Sequence, residues 1–310
     1  MQGYGHSKAE DGTMRYARGM LRRAIVPITV CAALGACASD QHPTTKAPEG
    51  TCRVSAPQPL VIGETFTIDS RVMGEARRVN VLVPTVYGEK IDAPMPVLYM
   101  LDGGVDEDFL HVAGLVQVLV SNGGMRPFML VGVPNTSRRR DMTGPTTNPE
   151  DLKIAPVVGG SATFRRFIKE ELMPTVRARY RTTEETAVVG ESLAGLFVVE
   201  TFFLEPGMFR TSIAIDPSLW WANEDLVKGA EARLKSAAPR SLNGRSLFIA
   251  TSDEPTIANL SEQLAAIFYT NRECGADFTY APLPRETHAT IYHPAALLAF
   301  RAMLGPPPPK

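Results

Sequence analysis

The sequence predicts an α/β protein built on a mostly parallel, doubly wound sheet with helices on both faces. Three observations predict it. Short runs rich in β-branched residues recur along the chain, and the middle ones are almost continuously apolar, as strands buried on both faces are. Helical patterns separate these runs. One run also passes through a small-residue turn directly into a helix.

The strand candidates are residues 79–83, 97–101, 129–133, 187–190, 211–215, 247–251 and 278–280. Between them, residues 161–180 carry Phe164, Phe167, Ile168, Leu172, Val176 and Tyr180 three, four or eight positions apart. That spacing makes one apolar stripe, with Arg165, Arg166, Lys169 and Glu170 mostly off it, and Ser161 can cap the start. Residues 259–270 and 295–304 read the same way. Strand–helix alternation of this kind places reactive groups at the carboxyl ends of strands. One catalytic domain over residues 52–305 is expected, followed by a disordered proline tail over 306–310.

The composition is that of an ordinary globular protein, with 44% hydrophobic and 21% charged residues in a chain of 310. Basic and acidic residues nearly balance at 32 against 33, and the longest basic tract is Arg138-Arg139-Arg140, too short to wrap a polyanion. No nucleic-acid partner is expected.

Residues 1–37 read as a signal peptide. Arg15, Arg18, Arg22 and Arg23 precede an apolar run over 24–33, shorter than the roughly 20 residues a permanent membrane anchor needs. Residues 1–13 are polar and read as an over-called start, with Met14 or Met20 as initiator. The run ends in Leu34-Gly35-Ala36-Cys37, which resembles the bacterial lipobox and would make Cys37 the lipidated mature N-terminus. Cleavage after Ala36 or Ala38 without lipidation is the other reading. Residues 38–51 are polar with Pro43 and Pro48, as a flexible tether would be. No acidic residue directly follows Cys37, so the outer membrane, reached through the lipid alone, is the expected location. Export leaves Cys52 and Cys274 as an even pair in an oxidising compartment, either disulfide-bonded or two buried thiols. Neither has a Cys or His at metal spacing, so no metal site is expected.

The sharpest chemical signal is Gly190-Glu191-Ser192-Leu193-Ala194-Gly195, set between an apolar strand and the helix-like Leu196-Phe197-Val198-Val199. A nucleophile in a strained strand-to-helix turn needs small residues on either side so that the backbone can pass closely. Ser192 is the expected nucleophile, and the Leu193 N–H at the helix start is the first oxyanion donor. A serine hydroxyl needs an adjacent base, and histidine is scarce: beyond the tether only His111, His288 and His293 occur. His288 follows the last strand and is the expected base. His293 is its rival, read as the start of a helix, while His111 is read as structural. For the orienting acid, Asp253 is preferred because it follows the strand at 247–251, with Glu254 and Asp216 as alternatives. Gly103 and Gly104 are the expected source of a second oxyanion N–H.

Further segments carry a resemblance. Leu98-Tyr99-Met100-Leu101-Asp102-Gly103, Val131-Gly132-Val133-Pro134-Asn135, Arg138-x-Arg140-Asp141-x-Thr143, Gly159-Gly160, Asp216 to Trp221 and Glu286-x-His288 together resemble the α/β-hydrolase family that contains enterochelin esterases, esterase D and the mycolyltransferases. The likeness is nearest to the periplasmic trilactone siderophore esterases and covers most of residues 78–303. It implies the α/β-hydrolase fold and a serine carboxylic-ester hydrolase working through an acyl-enzyme on small esters, siderophore-type esters among them, with no cofactor. It also implies that Arg138 and Arg140 contact an anionic or catecholate substrate, and that Trp220 and Trp221 line the cleft. Two departures stand out: Glu191 where relatives often carry His, and Asp216 where Ser is usual. An acyltransferase of the mycolyltransferase kind and a binding lipoprotein on a retired hydrolase scaffold are the competing readings.

Overall fold

Eight strands form the central sheet: β1 (Glu64–Ser70), β2 (Glu75–Leu82), β3 (Met95–Leu101), β4 (Met129–Val133), β5 (Thr182–Glu191), β6 (Thr211–Ile215), β7 (Ser246–Thr251) and β8 (Asp277–Pro282). Their spatial order is β1-β2-β4-β3-β5-β6-β7-β8. β1 with β2 and β2 with β4 run antiparallel, and all other neighbours are parallel. The computed structural model describes residues 55–236 and 240–307, and the described residues from Pro59 onward form one compact unit. The predicted signal peptide, the tether, Cys37 and Cys52 lie outside the described residues. So does the end of the proline tail.

Alternation along the strands divides the core between two faces. On one face, Leu98, Met100, Leu130 and Val189 pack against α1 (Phe109–Ser121) and the C-terminal helix Tyr292–Leu304. On the other, Val97, Tyr99, Val131 and Val188 meet the helices that begin at Ser161, Leu193 and Pro255. Helices therefore cover both faces, as the sequence predicts.

Two local features differ from the sequence expectation. The helix expected over 161–180 is interrupted by a π-turn at Ile168–Leu172, where Met173 N–H bonds to Ile168 O five residues back. Pro174 follows at once; it has no N–H to give the carbonyl four residues before it, which accounts for the widened turn. The edge strand β1 lies outside the strands the sequence predicts. Its alternating residues Phe66 and Ile68 are only half-buried and are interleaved with exposed polar ones, so it carries no continuous apolar run.

Cys274 is buried at the end of the short turn Arg272–Cys274. Among the described residues no helix is long and apolar enough to cross a membrane.

Candidate active site

β5 ends at Glu191, and the next helix, α4 in chain order after α2 (Arg138–Met142) and α3 (Ser161–Phe167), begins at Leu193 and runs to Leu204. Ser192 alone makes the turn, at φ 59° and ψ −118°, a strained conformation for a side chain with a Cβ. The small neighbours are required by contact. A Cβ on Gly190 would lie 2.7 Å from the Ala194 backbone, and one on Gly195 would lie 3.0 Å from Ile215 O. Ser192 N–H donates to Ile215 O at 3.0 Å, so the turn is pinned to the end of β6.

Ser192 Oγ lies 3.2 Å from His288 Nε2 and 3.3 Å from Ser218 Oγ. His288 sits after β8, and its Nδ1 is 2.6 Å from Asp216 Oδ2. Asp216 is fully buried at the carboxyl end of β6. Its two oxygens also accept from Ser252, one from the N–H and one from the hydroxyl, both at 2.7 Å. Burial by itself pushes the Asp216 carboxyl up, but the hydrogen bonds from His288 and Ser252 outweigh it and hold the pKa below the ordinary value. The Asp216 hydrogen bond raises the His288 pKa above the ordinary 6.5, with burial opposing and the charges of Asp216, Glu191 and Glu254 reinforcing. The pair is thereby set to accept a proton from Ser192.

The acid preference is corrected by this geometry. Asp253 is exposed and only its backbone N–H is engaged, at 2.8 Å from Glu286 O. Glu254 caps the helix Pro255–Thr270 by accepting from Ile257 N–H at 2.7 Å. Asp216 occupies the place at Nδ1. What β7 supplies instead is Ser252, which fixes Asp216. The rival base His293 packs its ring, tilted by 31°, against His111, with centroids 4.8 Å apart.

Leu193 N–H opens α4 beside Ser192 and has no acceptor among the described residues, so this donor at the positive end of the helix is free to meet an anion. The predicted second donors are engaged. Gly103 N–H extends the sheet by donating to Val133 O at 3.1 Å. Its lack of a side chain answers to Gly132, whose Cα would be 2.4 Å from a Cβ at 103. Gly104 N–H donates to Glu107 Oε2 at 2.7 Å, so it can serve a substrate only when Glu107 releases it.

The arginines are also committed. Arg138 grips Asp102 with two bonds, of 2.7 and 2.9 Å, and reaches the Glu191 carbonyl oxygen at 3.3 Å. Asn135 bridges Asp102 and Glu107 through its side-chain amide. Arg140 is turned into a separate network, 2.6 Å from Asp141 and 2.7 Å from Glu75, which the fully buried Arg77 completes. The expectation that Arg140 faces substrate is corrected: its charge is spent joining α2 to β2. Trp221 is buried with its ring N–H on Gly144 O at 2.9 Å, while Trp220 stays half-buried beside it. Sequence reasoning missed Ser218, Ser252 and Glu107.

Comparison with known proteins shows the family and the fold. The family model described as "Putative esterase" matches residues 70–293. The ferri-bacillibactin esterase BesA of Bacillus subtilis is 31% identical over 153 residues, which is 44% of this chain and 52% of that protein. The siderophore triacetylfusarinine C esterase of Aspergillus fumigatus is 29% identical over 57% of this chain and 62% of its own length. The chain thus spans about half to three-fifths of these curated relatives. Among solved structures, an IroE-like serine hydrolase from Shewanella oneidensis superposes with a TM-score of 0.70 at 26% identity, covering 78% of this chain and 80% of that one.

Proposed function

Because the chain belongs to the esterase family whose model it matches, we propose that it hydrolyses carboxylic esters through an acyl-enzyme on Ser192. The observation that carries this reading is the unbroken line from Ser192 Oγ through the His288 ring to the buried Asp216. Ser192 Oγ attacks the ester carbonyl carbon as His288 Nε2 takes its proton, and Leu193 N–H holds the oxyanion. His288 returns the proton to the departing alcohol, leaving the acyl group on Ser192. Water then attacks the acyl-enzyme, again giving its proton to His288, and the carboxylic acid leaves with Ser192 restored. Asp216 keeps the imidazole in the required tautomer and stabilises its charged form.

The names of the relatives support siderophore-type esters as the natural class. The N-terminal sequence supports export and anchoring through lipid on Cys37.

Hydrolysis of p-nitrophenyl acetate and butyrate by the chain from residue 51 onward tests the activity, wild type beside Ser192→Ala. Turnover should fall by at least ~10³-fold in the variant. Equal rates would refute the proposal, and turnover that depends on an added alcohol would redirect it to acyl transfer.

A further inference from the structure

Glu191 immediately precedes the nucleophile, so its Cα is about 3.8 Å from that of Ser192. Its carboxylate forms no hydrogen bond or ion pair among the described residues; only its carbonyl oxygen is used, by Arg138. The cation that could answer it is already committed, since Arg138 is held by both oxygens of Asp102. The Gly104 N–H, a backbone donor suited to an anion, is filled by the Glu107 carboxylate. Arg140 is tied to Glu75 and Asp141. Around the nucleophile, Asp102, Glu107, Asp108 and Glu191 thus share the one guanidinium of Arg138, and Arg138, Asn135 and Gly104 N–H already hold protein carboxylates, which leaves Leu193 N–H for the oxyanion itself.

On the reading that this site hydrolyses esters, we propose that Glu191 sets its charge preference: the cleft admits esters whose acyl part is neutral or cationic and disfavours those carrying an anion near the carbonyl. A like charge beside the reacting centre finds little compensation, because the Arg138 guanidinium is already paired with Asp102. The charge of Glu191 also reaches the His288 imidazole, where it contributes to the raised pKa.

Three p-nitrophenyl esters of one chain length test this: hexanoate, the half-ester of adipate, and 6-aminohexanoate. In the wild type at pH 8 and low salt, kcat/KM for the half-adipate should be about 10-fold or more below hexanoate, with 6-aminohexanoate at least equal to hexanoate. The ratio of half-adipate to hexanoate is internal to each protein, so it can be read whatever a variant does to absolute rate. That ratio should rise about 10-fold in Glu191→Gln.

The wild type supplies two further readings. Added salt, at 1 M, should raise the ratio by screening. Lowering the pH through about 7 should raise it too, because burial, with Asp108 and Asp102, pushes Glu191 up to about 7 against the opposing charges of His288 and Arg138. Tyr292, packed on the same side, is itself pushed well above its ordinary range by burial and stays neutral there. A half-adipate hydrolysed as fast as hexanoate by the wild type, or a ratio unchanged by Glu191→Gln whatever salt does to it, would overturn the charge preference set by Glu191. Absence of Ser192-dependent turnover on all three esters would instead overturn the hydrolase reading, and the preference with it.

Discussion

Two carboxylates on either side of Ser192, Asp216 behind His288 and Glu191 next in the chain, have opposite surroundings. Asp216 is fully buried and satisfied, with His288 and both donors of Ser252 on its oxygens, and its pKa is held down. Glu191 is only partly covered, has no partner, and its pKa is pushed up to about 7, by burial first. Burial alone therefore does not decide what a carboxylate does in this fold. The donors around it do. A paired carboxylate can hold a charge ready for catalysis; an unpaired one imposes a cost on folding and a preference on whatever binds beside it.

The largest effect should come from breaking the satisfied side. Asp216→Asn should lower kcat by about 10²- to 10⁴-fold, by favouring the wrong tautomer of His288, whereas Asp253→Asn should leave kcat within about twofold. Steady-state kinetics on p-nitrophenyl butyrate separate the two. A large loss in Asp253→Asn with little in Asp216→Asn would reverse the assignment.

A second contrast lies in the ion network of Arg77, Arg140, Asp141 and Glu75, where every charge is matched. The Arg140 hydrogen bond chiefly, with Thr136 and Arg77 and against burial, lowers Glu75 from 4.5 to about 2. A depressed carboxyl contributes stability that is complete above pH 4.5 and lost as the pH falls towards 2. Glu75→Gln should cost about 2 kcal/mol at pH 7, after discounting for partial exposure, and almost nothing near pH 2. Urea denaturation at the two pH values measures this.

Glu191 should behave in the opposite sense. Its folded pKa of about 7 lies above the ordinary 4.5, so its ionisation costs nothing below pH 4.5 and accumulates as the pH rises to 7. Glu191→Gln should therefore stabilise the fold by about 1 to 2 kcal/mol at pH 8 and leave it unchanged at pH 4, as read from urea midpoints. Stabilisation at both would mean that packing, not charge, is responsible.

The smallest expected effect is on pH dependence. Because the Asp216 hydrogen bond raises His288, the acidic limb of kcat/KM should lie above pH 6.5 in the wild type. Ser252→Ala, which loosens Asp216, should move that limb downward while the basic limb stays in place. An acidic limb already below 6.5 in the wild type would contradict the pairing.

Local signals made part of this legible in the sequence. Ser192 declares itself because Gly190, Ala194 and Gly195 answer to contacts within or beside the same turn, and His288 stands out through the scarcity of histidine. The sheet is readable from its apolar inner strands, while β1 is not, because its alternating face is only half covered. The acid and the arginines depended on partners far along the chain. Asp216 is held by Ser252, 36 residues later, and Arg140 by Glu75, 65 residues earlier. No local pattern records such pairings. Asp216 stands out in sequence only as an alternative acid after the strand at 211–215 and as a carboxylate where the resemblance has Ser.

Whether Ser192 is the acylated residue is tested most directly by mass-spectrometric mapping of a fluorophosphonate adduct. One adduct per chain is expected, on the peptide containing Ser192, absent from Ser192→Ala and slowed in Asp216→Asn. An adduct on any other residue, or equal labelling of Ser192→Ala, would contradict it.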